Sequence, residues 1–438
     1  MPQDIHKLGK TPGTRRIVII GAGIGGLMLA TRLARKYRRN VAVEVYLVDR
    51  APVHVWKPML HTFASGTSHS NVEGIPLIAQ AKSAGFRFVP GAFCALNTDA
   101  KSIKIEISDL PNQPTLNAEL YYDVLVFAVG SQANDFDVSG VREHCEFIDT
   151  LWNAERLNAT LRSVLAHAVI TNTPMTIAIV GGGATGVEFA ADVATLRDIG
   201  SSYGAANLNE ILNVTLLNSS TRVLSAFSED VSRQVTEKLM EAGVTVRNDA
   251  RVSRVDAESF HLTDGESIRA ELRVWAAGIA SPKELKSGTN LALSKTGQIQ
   301  VDEYLTTSHP DIFALGDCAA CPNSEMPDRL LPPTGQVARQ QADYLYKSIP
   351  ARMERVSIRP FKFNDMGSLV SLSHYGAFGE LTSKGYMPSI ALKGFVAKQA
   401  HRLFYRMHQF GLYGAFGGTV LYLRDGLNRL VKPKIRLD

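Results

Sequence analysis

Residues 16–50 read RIVIIGAGIGGLMLATRLARKYRRNVAVEVYLVDR. Ile17–Ile20 is a short β-branched run, the mark of a buried strand. Gly21, Gly23 and Gly26 follow as G-x-G-x-x-G, and Leu27 to Leu33 continues at helical period. Val43–Val48 is a second β-rich run, and Asp49 ends it, 23 residues after Gly26. Gly21 permits the tight turn, Gly23 lets backbone approach a pyrophosphate, and Gly26 lets helix pack on strand. The helix N-terminus turns free N–H groups and a positive dipole end towards phosphates. Asp49 is placed to accept hydrogen bonds from a ribose. Strand, glycines, helix, strand and acid in register specify a dinucleotide site.

The pattern recurs. T-I-A-I-V from Thr176 is a strand, Gly181, Gly183 and Gly186 repeat the fingerprint 160 residues after the first, Val187 to Leu196 is helical, and Val214–Leu217 is a second strand. Two fingerprints imply two dinucleotides, because each pyrophosphate occupies its own helix N-terminus. A resident flavin dinucleotide and a mobile nicotinamide dinucleotide is the economical assignment. Val124–Gly130 closes the first unit and Leu272–Gly278 the second. Ile312–Asp317, I-F-A-L-G-D, is a third buried strand ending in an acid. Asp317 is read either as a helix N-cap or as a partner for a polyol chain.

Length and composition fit this plan. At 438 residues the chain has room for two to four domains of ~100–200 residues. Net charge is +5, yet residues 391–438 hold nine Lys/Arg against two Asp, and the remainder 38 basic against 40 acidic residues. A neutral body with a basic tail argues for one local anionic partner and against a nucleic-acid surface. Four cysteines are too few for a disulfide framework in such a chain. No Cys/His cluster has metal-ligand spacing. No apolar h-region precedes the first strand, so no secretory signal is expected. No apolar run reaches the ~18–20 residues of a membrane span; residues 410–423 make 14, four of them glycine.

From Leu392 the sequence is amphipathic. Leu392, Phe395, Val396, Leu403, Phe404, Met407 and Phe410 fall on one half of a helical wheel. Lys398, His401, Arg402 and Gln409 lie opposite, with Lys393 and Arg406 at the margins. The pattern predicts a helix from about Ser389 to Phe410 lying in a membrane interface, its basic neighbours on anionic lipid. The alternative is a C-terminal helix packed on the body.

Several stretches resemble bacterial type II, non-proton-pumping NADH:quinone dehydrogenases. These are W-K-P-M-L-H at 56–61, G-G-G-A-T-G-V-E at 181–188, V-W-A-A-G-I at 274–279 and A-L-G-D-C-A-A-C-P at 314–322. D-M-G-S-L-V-S-L-S at 365–373 and Y-R-M-H-Q at 405–409 narrow the likeness to that family. The resemblance implies an α/β protein with two Rossmann-like dinucleotide-binding domains and a C-terminal membrane-associating region with amphipathic helices. The domains are expected at 14–150 and 286–350 for FAD, 151–285 for NAD(H) and 351–438 for the membrane region. It implies non-covalent FAD held by Gly21, Gly23, Gly26, Asp49, Lys57, Gly130 and Asp317. NADH, as substrate, would be held by Gly181, Gly183, Gly186, Asn218 and Gly278. Asn218 stands where relatives commonly have Glu to bind the adenosine ribose. Glu188 would lie close to nicotinamide and flavin, as a proton relay or nicotinamide-positioning group; the alternative is a solvated carboxylate at a helix start. Gln336 and Gln340, four apart on one helix face, match the quinone-side motif, with Gly335 replacing its Ala. They would contact the flavin pyrimidine or a quinone carbonyl. The implied acceptor is a membrane quinone, ubiquinone or menaquinone, at the cytoplasmic face of the bacterial inner membrane, with a homodimer as a candidate assembly. Two rivals are a soluble FAD-dependent disulfide reductase, which would use C-x-x-C at Cys318 and Cys321, and a sulfide:quinone oxidoreductase.

Overall fold

The computed structural model of the protein describes residues 6–8, 12–68, 73–107, 115–197, 208–326, 328–381 and 390–431. Its frame is a pair of five-stranded parallel sheets. The first runs Ile312–Ala314, Val124–Phe127, Arg15–Ile20, Val43–Asp49, Arg87–Pro90 in spatial order. The second runs Glu146–Phe147, Leu272–Trp275, Met175–Val180, Leu212–Leu217, Val244–Arg247. The registers correspond: Ile17 lies between Val45 and Val124, and Ile177 between Val214 and Leu272. Central parallel strands are covered on both faces, so they need continuous apolar runs. Ile17, Val18, Ile19, Ile177, Ala178 and Ile179 are accordingly fully buried. Ile312–Ala314 returns to the first sheet after the whole second sheet has been built.

In each sheet the turn after the central strand, Arg15–Ile20 or Met175–Val180, delivers a helix, Ile24–Tyr37 or Ala184–Thr195, with Gly23 or Gly183 at its N-cap. A short helix, Leu60–Ala64, leaves the first unit and buries Leu60, Phe63 and Ala64 in the second unit's core. That core also takes Val370 and Leu372 from the strand Ser368–Ser371 and its exit. This strand pairs antiparallel with Ala377–Leu381, which pairs with Ile390–Lys393.

The C-terminal helix differs from expectation. It spans Gly394–Val431 and breaks at Gly414, whose φ of 74° and ψ of 179° lie outside helical space. Only glycine adopts that conformation cheaply. Arg406 and Gln409, assigned by the wheel to the margin and the wet side, are buried, and so is His408. Arg406 Nη1 donates to Asp425 Oδ2 and to Gln409 Oε1, both at 2.6 Å. The chain therefore folds back at Gly414, and pairing between its two arms overrides the single-helix period. Leu403 and Phe410 stay exposed as expected, but the apolar surface continues through Phe416, Val420, Tyr422, Leu423 and Leu427, Phe416 at 85% exposure. Ser389 and residues 432–438 lie outside the described residues, as do the side chains of Lys393, Phe395, Val396, Lys398, His401, Arg402 and Arg429. Among the described residues no helix is long and apolar enough to cross a membrane.

Candidate functional site

The fingerprint glycines are explained by distances. A Cβ on Gly26 would sit 1.9 Å from the Gly21 carbonyl oxygen, and one on Gly186 2.0 Å from that of Gly181. Gly21 and Gly181 have φ of 102° and 126°, and a Cβ there would meet the carbonyls of Ala128 and Ala276 at 2.3 and 2.6 Å. The middle glycines differ. Around Gly23 the nearest atom is the Ala128 oxygen at 4.0 Å, and around Gly183 nothing comes within 4 Å. Both helix N-termini thus open onto space that a side chain would fill, the cradle a pyrophosphate requires. These residues fit FAD and a nicotinamide dinucleotide.

Asp49 Oδ2 accepts from the Ala22 N–H at 2.5 Å and Oδ1 from the Ala51 N–H at 2.8 Å. Burial pushes its carboxyl up while those two N–H groups hold it down. Lys57 Nζ donates to the Ser131 carbonyl and to Asp149 Oδ1, both at 2.9 Å. The Ser131 hydroxyl donates to Asp317 Oδ2 at 2.7 Å. Ser131 therefore joins Lys57 and Asp317 in one network at the end of the first sheet, next to Gly130 with its φ of 68°. Asp317 lies in the 3₁₀ turn Gly316–Cys318 and caps no helix. Asp149 and Ser131, which complete the network, carried no sequence motif.

Asn218 occupies the place in the second unit that Asp49 holds in the first. It is buried, and its Nδ2 donates to the Ser220 carbonyl at 2.9 Å and to Asn248 Oδ1 at 2.8 Å. Gly278, with φ of 65°, lies where a Cβ would meet the Phe136 ring at 2.5 Å.

Glu188 is buried at 6% exposure and is not a solvated helix-start acid. Its Oε1 accepts from the Ser371 N–H at 2.9 Å, and its Oε2 faces His61 Nε2 at 3.5 Å. His61 Nδ1 lies 2.8 Å from Asp192 Oδ2, to which the Ser65 hydroxyl also donates at 3.1 Å. Burial pushes the Glu188 carboxyl up to about 7 against the pull of His61. Burial also opposes charge on His61, but Glu188 and Asp192 outweigh it and raise the imidazole to about 9. His61 and Asp192 were missed at the sequence level. Asp192 had a legible signal, a carboxylate four residues after Glu188 in an otherwise apolar helix. Among the described residues no such cluster is arranged to hold a metal ion.

Gln336 and Gln340 do share a face of the helix Gly335–Met353, but both amides bind one backbone segment. Gln336 accepts from the Met366 N–H at 2.7 Å, while Gln340 donates to the Asn364 carbonyl and accepts from its N–H, at 2.8 and 2.9 Å. That segment leads into Ser368–Ser371, and so to Glu188. A Cβ on Gly335 would meet Ile24 Cδ1 at 2.8 Å, so the small residue lets this helix close on the first fingerprint.

The C-terminal helix reaches the same fingerprint. His54 Nδ1 lies 2.6 Å from the Ala22 carbonyl, and its Nε2 3.0 Å from His408 Nε2. A carbonyl only accepts, so His54 donates through Nδ1 and receives the His408 Nε2–H. Burial keeps both rings neutral, pulling His54 down to about 4. Cys318 and Cys321 are buried thiols that desolvation pushes up to about 12 and about 11.

The pyridine nucleotide-disulphide oxidoreductase family matches residues 15–342. A type II NADH:quinone oxidoreductase from Haemophilus influenzae is 34% identical, over 97% of this chain and 100% of that protein. A solved structure of NDH2 from Plasmodium falciparum in complex with NADH superposes with a TM-score of 0.80 at 19% identity, over 97% of this chain and 100% of that one. The sulfide:quinone oxidoreductase from Aquifex aeolicus shares the fold at a TM-score of 0.71 and 17% identity, over 96% of each chain.

Proposed function

This chain belongs to the pyridine nucleotide-disulphide oxidoreductase family and, within it, to the type II NADH:quinone oxidoreductases, and from that premise we propose how its own residues carry the reaction. It is an NADH dehydrogenase that uses FAD. FAD, when bound, takes a hydride from NADH and passes two electrons to the acceptor. The Gly21–Gly26 loop receives the FAD pyrophosphate, Asp49 a ribose, and the Lys57–Ser131–Asp317 network the flavin side of the cofactor. The Gly181–Gly186 loop receives the NADH pyrophosphate, with Asn218 and Gly278 along the same ligand. Glu188 holds a proton beside the nicotinamide. Gln336 and Gln340 act one step away, fixing the 364–367 backbone that brings the Ser371 N–H to Glu188. The acceptor is a membrane quinone, reduced without ion pumping.

The observation that carries this reading is the pair of open helix N-termini on two sheets, with Glu188 of one unit facing His61 from the other. A steady-state assay with NADH and a soluble quinone tests it, with NADPH, sulfide and disulfide controls. Turnover with NADH and quinone is expected. Turnover only with sulfide or a disulfide would replace the reading, though thiols at about 11 and 12 are poor nucleophiles.

The apolar surface from Leu403 to Leu427 seats the protein on the cytoplasmic membrane face, where NADH is supplied. Each large side chain buried in lipid contributes roughly 1.5–3 kcal/mol. Each basic residue on an anionic surface contributes about 1 kcal/mol, screened by salt. High salt should therefore release the protein only in part and detergent fully. Phe416→Glu with Leu427→Glu should stop flotation with vesicles; unimpaired flotation would move the contact elsewhere.

A further inference from the structure

The overall reaction, NADH + H⁺ + quinone → NAD⁺ + hydroquinone, takes one proton from water per turnover. The buried groups at Glu188 are arranged to hold one. His61 lies between two carboxylates, 2.8 Å from Asp192 Oδ2 and 3.5 Å from Glu188 Oε2, and all three side chains are under 10% exposed. A carboxylate accepts, so His61 donates to Asp192 through Nδ1 and turns Nε2 towards Glu188. Two further hydrogen bonds come from the Ser371 N–H to Glu188 and from the Ser65 hydroxyl to Asp192. Among the described residues, His61 is thus the group in contact with Glu188 that can both receive a proton and give it up.

We propose that His61, anchored by Asp192, is the positioning residue that hands Glu188 the proton taken up in each turnover. The proposal rests on the reading that Glu188 works beside the nicotinamide. The proton moves from His61 Nε2 to Glu188 Oε2; no electrons move, Nδ1–H stays on Asp192, and the imidazolium is restored when Nε2 takes up the one proton drawn from water in that turnover. Because a cation on His61 favours the ionised form of Glu188, removing it should keep Glu188 protonated to higher pH.

The test is an infrared pH titration of the FAD-loaded protein, following the carboxylic acid C=O band that vanishes in Glu188→Gln. His61→Asn keeps a donor for Asp192, and His61→Gln is the second variant should the first fail to fold. In either, the band should persist to higher pH by about one unit or more. FAD content and melting temperature report folding. An unchanged midpoint in a folded His61 variant, with NADH-driven flavin reduction still slowed in Glu188→Gln, would overturn the role of His61 alone. Glu188→Gln traces identical to wild type would overturn the reading of Glu188 and the proposal with it.

Discussion

The two fingerprints are nearly the same object in backbone and opposite in side chains. The third glycine stands 1.9 Å from a carbonyl in one and 2.0 Å in the other. At the end of the next strand the first unit presents Asp49, whose oxygens accept from two backbone N–H groups. The second presents Asn218, which donates to an oxygen on either side. Glu188 and Asp192 of the second helix correspond, by the 160-residue offset, to Met28 and Arg32 of the first. Met28 is buried with its methyl 3.2 Å from where a Cβ on Gly411 would be, facing the C-terminal helix, and Arg32 pairs with Asp343. Glu188 and Asp192 instead enclose His61. Backbone constraints give both units the same turn, the one proposed to receive a pyrophosphate, while the residues two and six beyond the last glycine pack on the C-terminal helix and Asp343 in one and enclose His61 in the other.

Breaking the shared part should have the largest effect. Gly26→Ala and Gly186→Ala each force a Cβ onto a carbonyl, at a cost of about 1–3 kcal/mol or more. The first variant should lose FAD on purification. The second should remain yellow yet no longer bleach with NADH. Loss of the same ligand by both would end the assignment of one dinucleotide to each unit.

Exchanging the divergent part should act on rate. Glu188→Gln should slow flavin reduction by NADH roughly tenfold or more with FAD retained, whereas Met28→Leu should leave it within twofold or so. Stopped-flow absorbance separates the two. An equal effect would mean that the two helix faces do not differ in function.

Asn218→Asp makes the second unit resemble the first. It removes both donated hydrogen bonds and sets a carboxylate against Asn248 Oδ1, costing about 1–3 kcal/mol. The negative charge should also widen the preference for NADH over NADPH a few-fold by repelling a 2′-phosphate. Unchanged kcat/KM ratios would mean that this position does not face the ribose.

The pH dependence of stability should change least. Glu188 and His61 both have raised values, so the stability they contribute is full at low pH and lost as pH rises. Glu188 loses its share between its ordinary value of 4.5 and about 7, and His61 between 6.5 and about 9. Melting temperature should fall by a few degrees across that range. Glu188→Gln should flatten the lower part of the curve and His61→Asn the upper. A profile unaltered in both would mean the cluster does not titrate there.

Glycine spacing, β-branched strands and terminal acids were legible in the sequence because each answers to a local backbone demand. The Glu188 cluster was half legible. Asp192 shares a helix with Glu188, but His61 lies 131 residues before Asp192 and meets it only because Leu60–Ala64 docks on the second unit. Gln336 and Gln340 were found by motif, but their hold on backbone 364–367 was not legible, since that backbone returns from a loop two dozen or more residues on. The wheel from Leu392 misplaced Arg406 and Gln409 for a related reason. It treats one helix as alone with solvent, and Gly414 folds the chain so that Arg406 meets Asp425.

Anaerobic titration of the purified, FAD-loaded protein tests most directly the claim that reducing equivalents pass from the second dinucleotide unit to the first and on to a quinone. One equivalent of NADH per FAD should bleach the flavin absorbance, and one equivalent of soluble quinone should restore it, with no disulfide or sulfide present. A flavin that NADH leaves oxidised, or that stays bleached when quinone is added, would contradict the account.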